Sequence, residues 1–169
     1  MNIFVLDENP VKSAQAMDCV RVPKMVTESA QMMASALRRH GAIDSQMPLT
    51  KSGSPYKGGY HHHPCTIFAG DTRANFKWLA HHAEALLDEY HHRFGKVHAC
   101  HNPIYQMSSM SKMIPEGELT PFAQAMPDEY KDDDAVKAYR AYYHSKMYSA
   151  GGVHYRHTSP PDWWMGVTA

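Results

Sequence analysis

In the stretch VPKMVTESAQMM, residues 22–33, three polar side chains fall at helical spacing: Lys24, Glu28 and Gln31. Positions i, i+4 and i+7 stack on one side of a helix, while Val22, Met25, Val26, Met32 and Met33 form an apolar stripe on another. The polar line has two readings. As a solvated face, Lys24 and Glu28 make an i, i+4 pair worth roughly 0.2–0.5 kcal/mol. As the wall of a site, Glu28 is an acid/base carboxylate beside a cation suited to phosphate. The second reading makes Glu28 and Lys24 candidate catalytic residues, with His63 as a further base and Gln31 as a ligand contact.

A second set lies further along: Arg73, Asn75, Lys77, Trp78, Glu89 and Arg93. Arg73, Lys77 and Trp78 share a side near a helix start, where the macrodipole favours anions. An aromatic ring beside two cations suits a nucleotide, because base stacking and phosphate pairing need those groups together. The plainer reading puts Trp78 in the core and leaves the cations in solvent. HHHPC (61–65) and HACH (98–101) could meet around zinc, but neither has the C-x-x-C or H-E-x-x-H spacing of a zinc site, so no metal ligand and no cofactor are expected. In the tail, Trp163 and Trp164 follow Pro160 and Pro161; they either dock on the helices as a clasp or form a stacking platform for a base. The chain lacks a Gly-rich phosphate loop, a G-x-S-x-G elbow, a zinc-deaminase pattern and a kinase signature.

These residues need a scaffold, and 169 residues with 43% hydrophobic content suffice for one domain, 1–169, with a core of its own. Seventeen basic and 17 acidic residues cancel, so no global field announces a nucleic acid or a membrane, although 13 histidines can add positive charge on mild acidification. Three cysteines suit a reducing cytoplasm, and no apolar run approaches a membrane span. The expected class is mainly α, with three substantial helices, long loops and an aromatic tail. NIFVLD reads as a brief extended segment. A short helix from Val11 ends near Val20, and a longer one runs from about Pro23 to His40, stopped by Gly41. Residues 41–63 form a loop. Phe76, Leu79, Ala83, Leu86, Leu87, Tyr90 and Phe94 mark the clearest helix, with Asp71 or Thr72 before it and Gly95 after it. Residues 96–120 are irregular, FAQAM is a short helical turn, and a carboxylate among 132–134 caps a helix through about Tyr148.

The blocks MNIFVLD..P, VPKMVTESAQMM, HHPCTIFA..TRANFKWL, EYHHRFGK.H and LTPFAQAMPDEYK resemble a group of small phage-encoded proteins over most of the chain. More distantly, the order of elements is similar to the phage pyrimidine-dimer DNA glycosylases of the endonuclease V type. Those are small helical proteins with a proline near the start of a core helix, a long second helix and a C-terminal aromatic cluster. Pro23, the 72–94 helix and Trp163/Trp164 stand in those places. The resemblance implies an N-terminal amine as nucleophile and a glutamate two residues before the proline. Here that position is Arg21, and Met1, retained ahead of the bulky Asn2, is expected on a flexible end. Glu28 lies a turn further along. The favoured expectation is therefore a relative that holds a flipped base without cutting it out: a transferase joining an amino acid or amine to an activated 5-hydroxymethyluracil in DNA. Arg21, Gln31, Arg73, Asn75, Lys77, Trp78, Glu89, Arg93, Trp163 and Trp164 would contact the DNA or substrate. The alternatives are a pyrimidine-dimer glycosylase with lyase activity, and a non-enzymatic accessory protein that binds DNA or a host protein.

Overall fold

The computed structural model describes residues 1–166 and 168. Among them are six α-helices and four 3₁₀ turns, more elements than the three helices expected, and no strand. Helix α1 (Pro10–Gln15) starts at Asn9, whose side chain accepts from the Val11 and Lys12 amides, with Pro10 in the first turn where it sacrifices no bond. It ends short of Val20 because residues 16–20 turn to bring Asp18 to the head of α2 (Arg21–Arg39). Asp18 caps that helix: its carboxylate accepts from the Val20 and Arg21 amides, and its carbonyl from those of Arg21 and Val22. Pro23 sits in the first turn of α2 and costs it no hydrogen bond.

Helix α3 (Pro64–Asp71) is absent from the sequence expectation. Its residues are nearly all small or apolar and show no helical stripe, and five of the eight are buried. Helix α4 (Arg73–Phe94) has the expected bounds, with the Thr72 hydroxyl accepting from the Asn75 amide and Gly95 closing it in the left-handed region. Helix α5 (His101–Ser108) also runs through a segment expected to be irregular; Pro103 reads as a breaker but occupies the first turn. Helix α6 (Ala135–His144) begins on Asp134 and continues as a 3₁₀ turn to Tyr148. FAQAM forms no helical turn: residues 122–126 are irregular, and their backbone serves other partners.

Helix α4 packs against α1, α2, α3 and α5, and α2 packs against α3, α4 and α5. Met25, Met32, Met33 and Leu37 of α2 and Phe76, Leu79 and Leu86 of α4 are fully buried, as are Tyr139 and Tyr143 of α6. Among the described residues no helix is long and apolar enough to cross a membrane.

The segment before α1 decides where the site lies. Ile3, Phe4, Val5 and Leu6 are buried without a strand partner, so side chains must satisfy their backbone. Asn2 Oδ1 accepts from the Ile3 and Phe4 amides at 2.8 and 3.0 Å. The Ser13 hydroxyl accepts from the Leu6 amide and donates to the Phe4 carbonyl, and Arg140 Nε donates to the Leu6 carbonyl. Phe4 takes φ +55°, and its ring packs on Tyr139, Tyr142 and Tyr143. The expected extended segment is thus a kinked plug, and it fixes the chain's first residue in the interior rather than on a loose end.

Candidate active site at the start of the chain

Met1 follows that plug into the core: its side chain is 1% exposed. Its α-amine lies 3.7 Å from Glu28 Oε2, and the Asn2 amide donates to the same oxygen at 2.8 Å. Lys24 Nζ lies 3.8 Å from the other carboxylate oxygen, on the solvent side, its side chain 68% exposed. Glu28, 12% exposed, therefore joins two cations and one amide. The Lys24–Glu28 pair exists as spacing suggested, but the amine is the partner that the sequence reading placed elsewhere.

Asn2 anchors this arrangement. Besides its two backbone contacts, its Nδ2 donates to the Ala125 carbonyl at 2.8 Å. The same irregular strip is held from the other side by Tyr139, whose hydroxyl donates to the Ala123 carbonyl at 2.6 Å and accepts from the Ala125 amide at 3.2 Å. Burial pushes the Tyr139 phenol far above its ordinary range, so it stays a neutral donor. Cys65 Sγ lies 3.8 Å from that hydroxyl, and burial raises its thiol to about 11; it is a packed neutral group and not a thiolate nucleophile.

His63 completes the set. It caps α3, its Nδ1 accepting from the Cys65 amide at 3.2 Å. Its pKa is lowered, chiefly by burial and next by the positive N-terminus, with Glu28 opposing. Both groups are therefore within electrostatic reach of the ring, and the lowering favours the neutral imidazole, a proton acceptor. Past Glu28 along α2, Gln31 lines a cavity of about 270 Å³ together with Thr27, Ala30, Tyr56, Gly58 and Cys100.

The structure brings Lys24, Glu28, Gln31 and His63 to one region and sends the other candidates elsewhere. Arg21 is buried: it pairs with Asp18 at 2.7 Å and donates to the Gly152 carbonyl and Ser149 hydroxyl. Arg93 is buried against Glu89 at 2.7 Å and donates to the Met17 and Gln15 carbonyls, clamping the end of α1. Asn75 is sealed between Phe68 and Thr120. Trp78 is core, its Nε1 donating to the Glu8 carbonyl and its ring stacked on His82. Arg73 is tied to Ile114, Lys112 and Glu116, while Lys77 is exposed. The nucleotide cradle drawn from Arg73, Lys77 and Trp78 therefore does not assemble. Trp163 and Trp164 dock on α6, where Trp164 stacks on His144 at 4.7 Å and Arg140 lies over Trp163; of the two readings this is the clasp. Among the described residues no three His, Cys, Asp or Glu side chains converge to hold a metal.

Sequence reasoning set Met1 aside on a flexible end and gave Asn2, Cys65 and Tyr139 no part in the site. One signal was present: a buried apolar run that begins two residues from the end holds that end against the core.

The sequence model described as pyrimidine dimer DNA glycosylase matches residues 1–102, which hold the plug, α1 to α4, and every group around the amine except Tyr139 and the 123–125 strip. No curated protein and no solved structure matches the chain.

Proposed function

The chain belongs to the pyrimidine dimer DNA glycosylase family, and on that premise we propose that it excises damaged pyrimidines from DNA with the Met1 α-amine as nucleophile and Glu28 as its acid/base partner. The observation that carries this reading is the Glu28 carboxylate set against the amine at 3.7 Å. Glu28 comes from a later turn of α2 than the resemblance implied, yet it reaches the same partner. The α-amine is also the suitable amine, since α-amino groups as a class deprotonate at lower pH than lysine side chains. In the reaction the amine nitrogen bonds to C1′ of the damaged nucleotide as the glycosidic C–N bond breaks, and the bonding pair leaves with the base. Glu28 or neutral His63 takes the proton that the amine sheds. The C1′–O4′ bond then breaks as O4′ takes a proton from the Glu28 carboxyl, leaving a protonated imine; proton loss at C2′ then expels the 3′ phosphate, which opens the strand. Lys24 sits where a phosphate near the reacting sugar would need a cation, and the Gln31 cavity, with an amide and the Tyr56 ring, suits an extruded base.

Transfer of an amine to activated hydroxymethyluracil loses its ground. That reaction needs cations gathered on its leaving group; of Lys24, Arg73, Lys77 and Arg93, which could serve there, Arg73 and Arg93 are engaged within the fold. The test is borohydride reduction during turnover of ultraviolet-irradiated duplex. The expected result is a covalent protein–DNA adduct mapped by mass to residue 1, with Glu28→Gln lowering excision by at least about 10² while the fold is kept. Strand cleavage without an adduct at the α-amine, or a fully active Glu28→Gln, overturns the assignment.

A further inference from the structure

Among the described residues, two that are not glycine adopt left-handed backbone: Phe4 at φ +55° and Tyr60 at φ +54°. The strain at Phe4 is offset, because its ring is buried and packs on Tyr139, Tyr142 and Tyr143. Nothing of that kind offsets Tyr60. It is 65% exposed, and neither its hydroxyl nor its ring has a hydrogen-bond, aromatic or cationic partner among the described residues. Strained backbone and an aromatic ring left in water both cost stability, and the fold gains from neither.

The loop that carries Tyr60 is fastened on both sides of it. Gly58 approaches α2 so closely that a Cβ there would come within 2.6 Å of the Ser35 backbone nitrogen. The Ser35 hydroxyl donates to the Gly59 carbonyl and accepts from the Gly59 amide, both at 2.8 Å. The Tyr60 carbonyl then accepts from the His63 amide at 2.9 Å, a turn that keeps the two Cα atoms within about 7 Å. His63 is in electrostatic reach of the Met1 amine and Glu28. Upstream, Lys57 and Gly58 line the cavity that Gln31 faces. The chain thus runs from the cavity assigned to the extruded base, through an exposed and strained tyrosine, to the histidine near the amine.

The same stretch of chain repels a polyanion least. Of the 17 acidic residues only Glu28 and Asp44 fall within residues 19–70, and Asp44 is paired with Arg38 at 2.6 Å. Lys51 and Lys57 are exposed on the loop and held in no ion pair. A chain of zero net charge therefore leaves α2 and this loop open to a phosphate backbone. We propose that Tyr60 enters the DNA stack at the lesion, its ring filling the gap left by the extruded nucleotide and stacking on the neighbouring base. An aromatic face stacks on any base, which suits a residue that must work in every sequence context. A wedge must also not yield, which the anchored loop provides. The inference rests on the excision reading and adds to it the group that keeps the duplex open.

The experiment compares two substrates of one sequence, a duplex with a single pyrimidine dimer and a duplex with a preformed abasic site at the same position. Wild type should excise from the first and be trapped by borohydride on the second. The abasic duplex has no base to keep out, so it reports the amine chemistry without the wedge. Tyr60→Ala should slow excision of the dimer by roughly tenfold to a hundredfold, the loss expected for one base–aromatic stack, while trapping at the abasic site stays within about twofold of wild type. Tyr60→Phe should keep both rates, because the ring stacks without its hydroxyl. Tyr60→Asn should lose excision as Tyr60→Ala does and melt at or above the wild-type temperature, since asparagine tolerates left-handed backbone. Full excision by Tyr60→Ala, or equal loss on both substrates, overturns the wedge. A Tyr60→Asn protein that melts well below wild type also overturns it, by making the ring part of the fold. Wild type that neither excises nor is trapped strikes the excision reading itself, whereas an active wild type with an indifferent Tyr60 strikes the wedge alone.

Discussion

Two carboxylates flank the start of α2, and they live differently. Asp18 is sealed, 0% exposed, with its oxygens shared among the Arg21 guanidinium at 2.7 Å, the Tyr143 hydroxyl at 2.6 Å and two backbone amides. Glu28 keeps a window to solvent, and its two charged neighbours stand at 3.7 and 3.8 Å, too far for tight hydrogen bonds. The histidines divide in the same way. His82 is 0% exposed, with Nδ1 donating to the Pro10 carbonyl, whereas His63 sits half-buried beside the amine and Glu28. Asp18, whose oxygens are engaged by its own fold, has nothing left for a substrate, and His82 is cut off by burial even though its Nε2 has no hydrogen-bond partner. Looseness at a buried charge, not charge alone, separates the site from the scaffold.

Exchanging the two carboxylates in parallel is the strongest way to break that contrast. Glu28→Gln removes the charge but still accepts from the Asn2 amide, so the loss should fall on excision and leave the melting temperature within about 1–2 °C of wild type. Asp18→Asn should do the reverse. It strands the Arg21 charge in the interior and weakens the cap of α2, at a cost of about 3–5 kcal/mol read by urea unfolding. Any excision that survives in the folded fraction of Asp18→Asn should show an unaltered KM. Loss of activity without loss of stability in Asp18→Asn would erase the distinction.

How much of this could be read from residues alone follows the same line. The α4 helix was legible because its apolar stripe runs unbroken from Phe76 to Phe94 between Thr72 and Gly95. Helix α2 was legible to within two residues, and Lys24 and Glu28 do share its side as spacing required. Helices α3 and α5 were not. The first is apolar on all sides and so has no period, and the second carries a proline that reads as a stop until its place in the first turn is known. The sequence singled out Arg21 beside Pro23, Asn75 and Trp78 near the start of α4 and Arg93 in its last turn, but only the fold reveals that their donors are already taken. The amine was set aside as loose for a related reason. Whether a chain end is held depends on contacts more than 100 residues away, such as that of Asn2 with Ala125, and no local pattern encodes them.

The histidines give the next largest effect. Burial drives His82 down to about 4, against the pull of the Pro10 and Ile3 carbonyls. A histidine whose folded pKa lies below its unfolded value contributes stability that is fully present above about pH 6.5 and lost as pH falls toward the folded value. The sealed ring should therefore remove on the order of 3 kcal/mol between about pH 6.5 and about pH 4. Chemical denaturation across that window checks it: His82→Phe, which keeps the stack on Trp78, should flatten the slope, and His63→Gln should change it far less. Equal flattening by both would mean that His63 is as sealed as His82.

The smallest effect tests the loosest contact. Lys24 is two-thirds exposed and reaches Glu28 at 3.8 Å, a distance at which an i, i+4 pair stabilises a helix by roughly 0.2–0.5 kcal/mol. Lys24→Ala should therefore leave the unfolding midpoint almost where it was, and salt should hide what change remains. If the lysine serves only Glu28, excision should be equally indifferent. If instead it meets the strand, one phosphate contact is lost, and the salt slope of DNA binding should fall by about 0.9 with no change in the trapping of the bound substrate. Lys24→Gln separates the two further, since it retains length and hydrogen bonding but not charge. A slope that falls equally in both variants assigns the contact to charge at the phosphate. An unchanged slope returns Lys24 to the solvated face that its spacing first suggested.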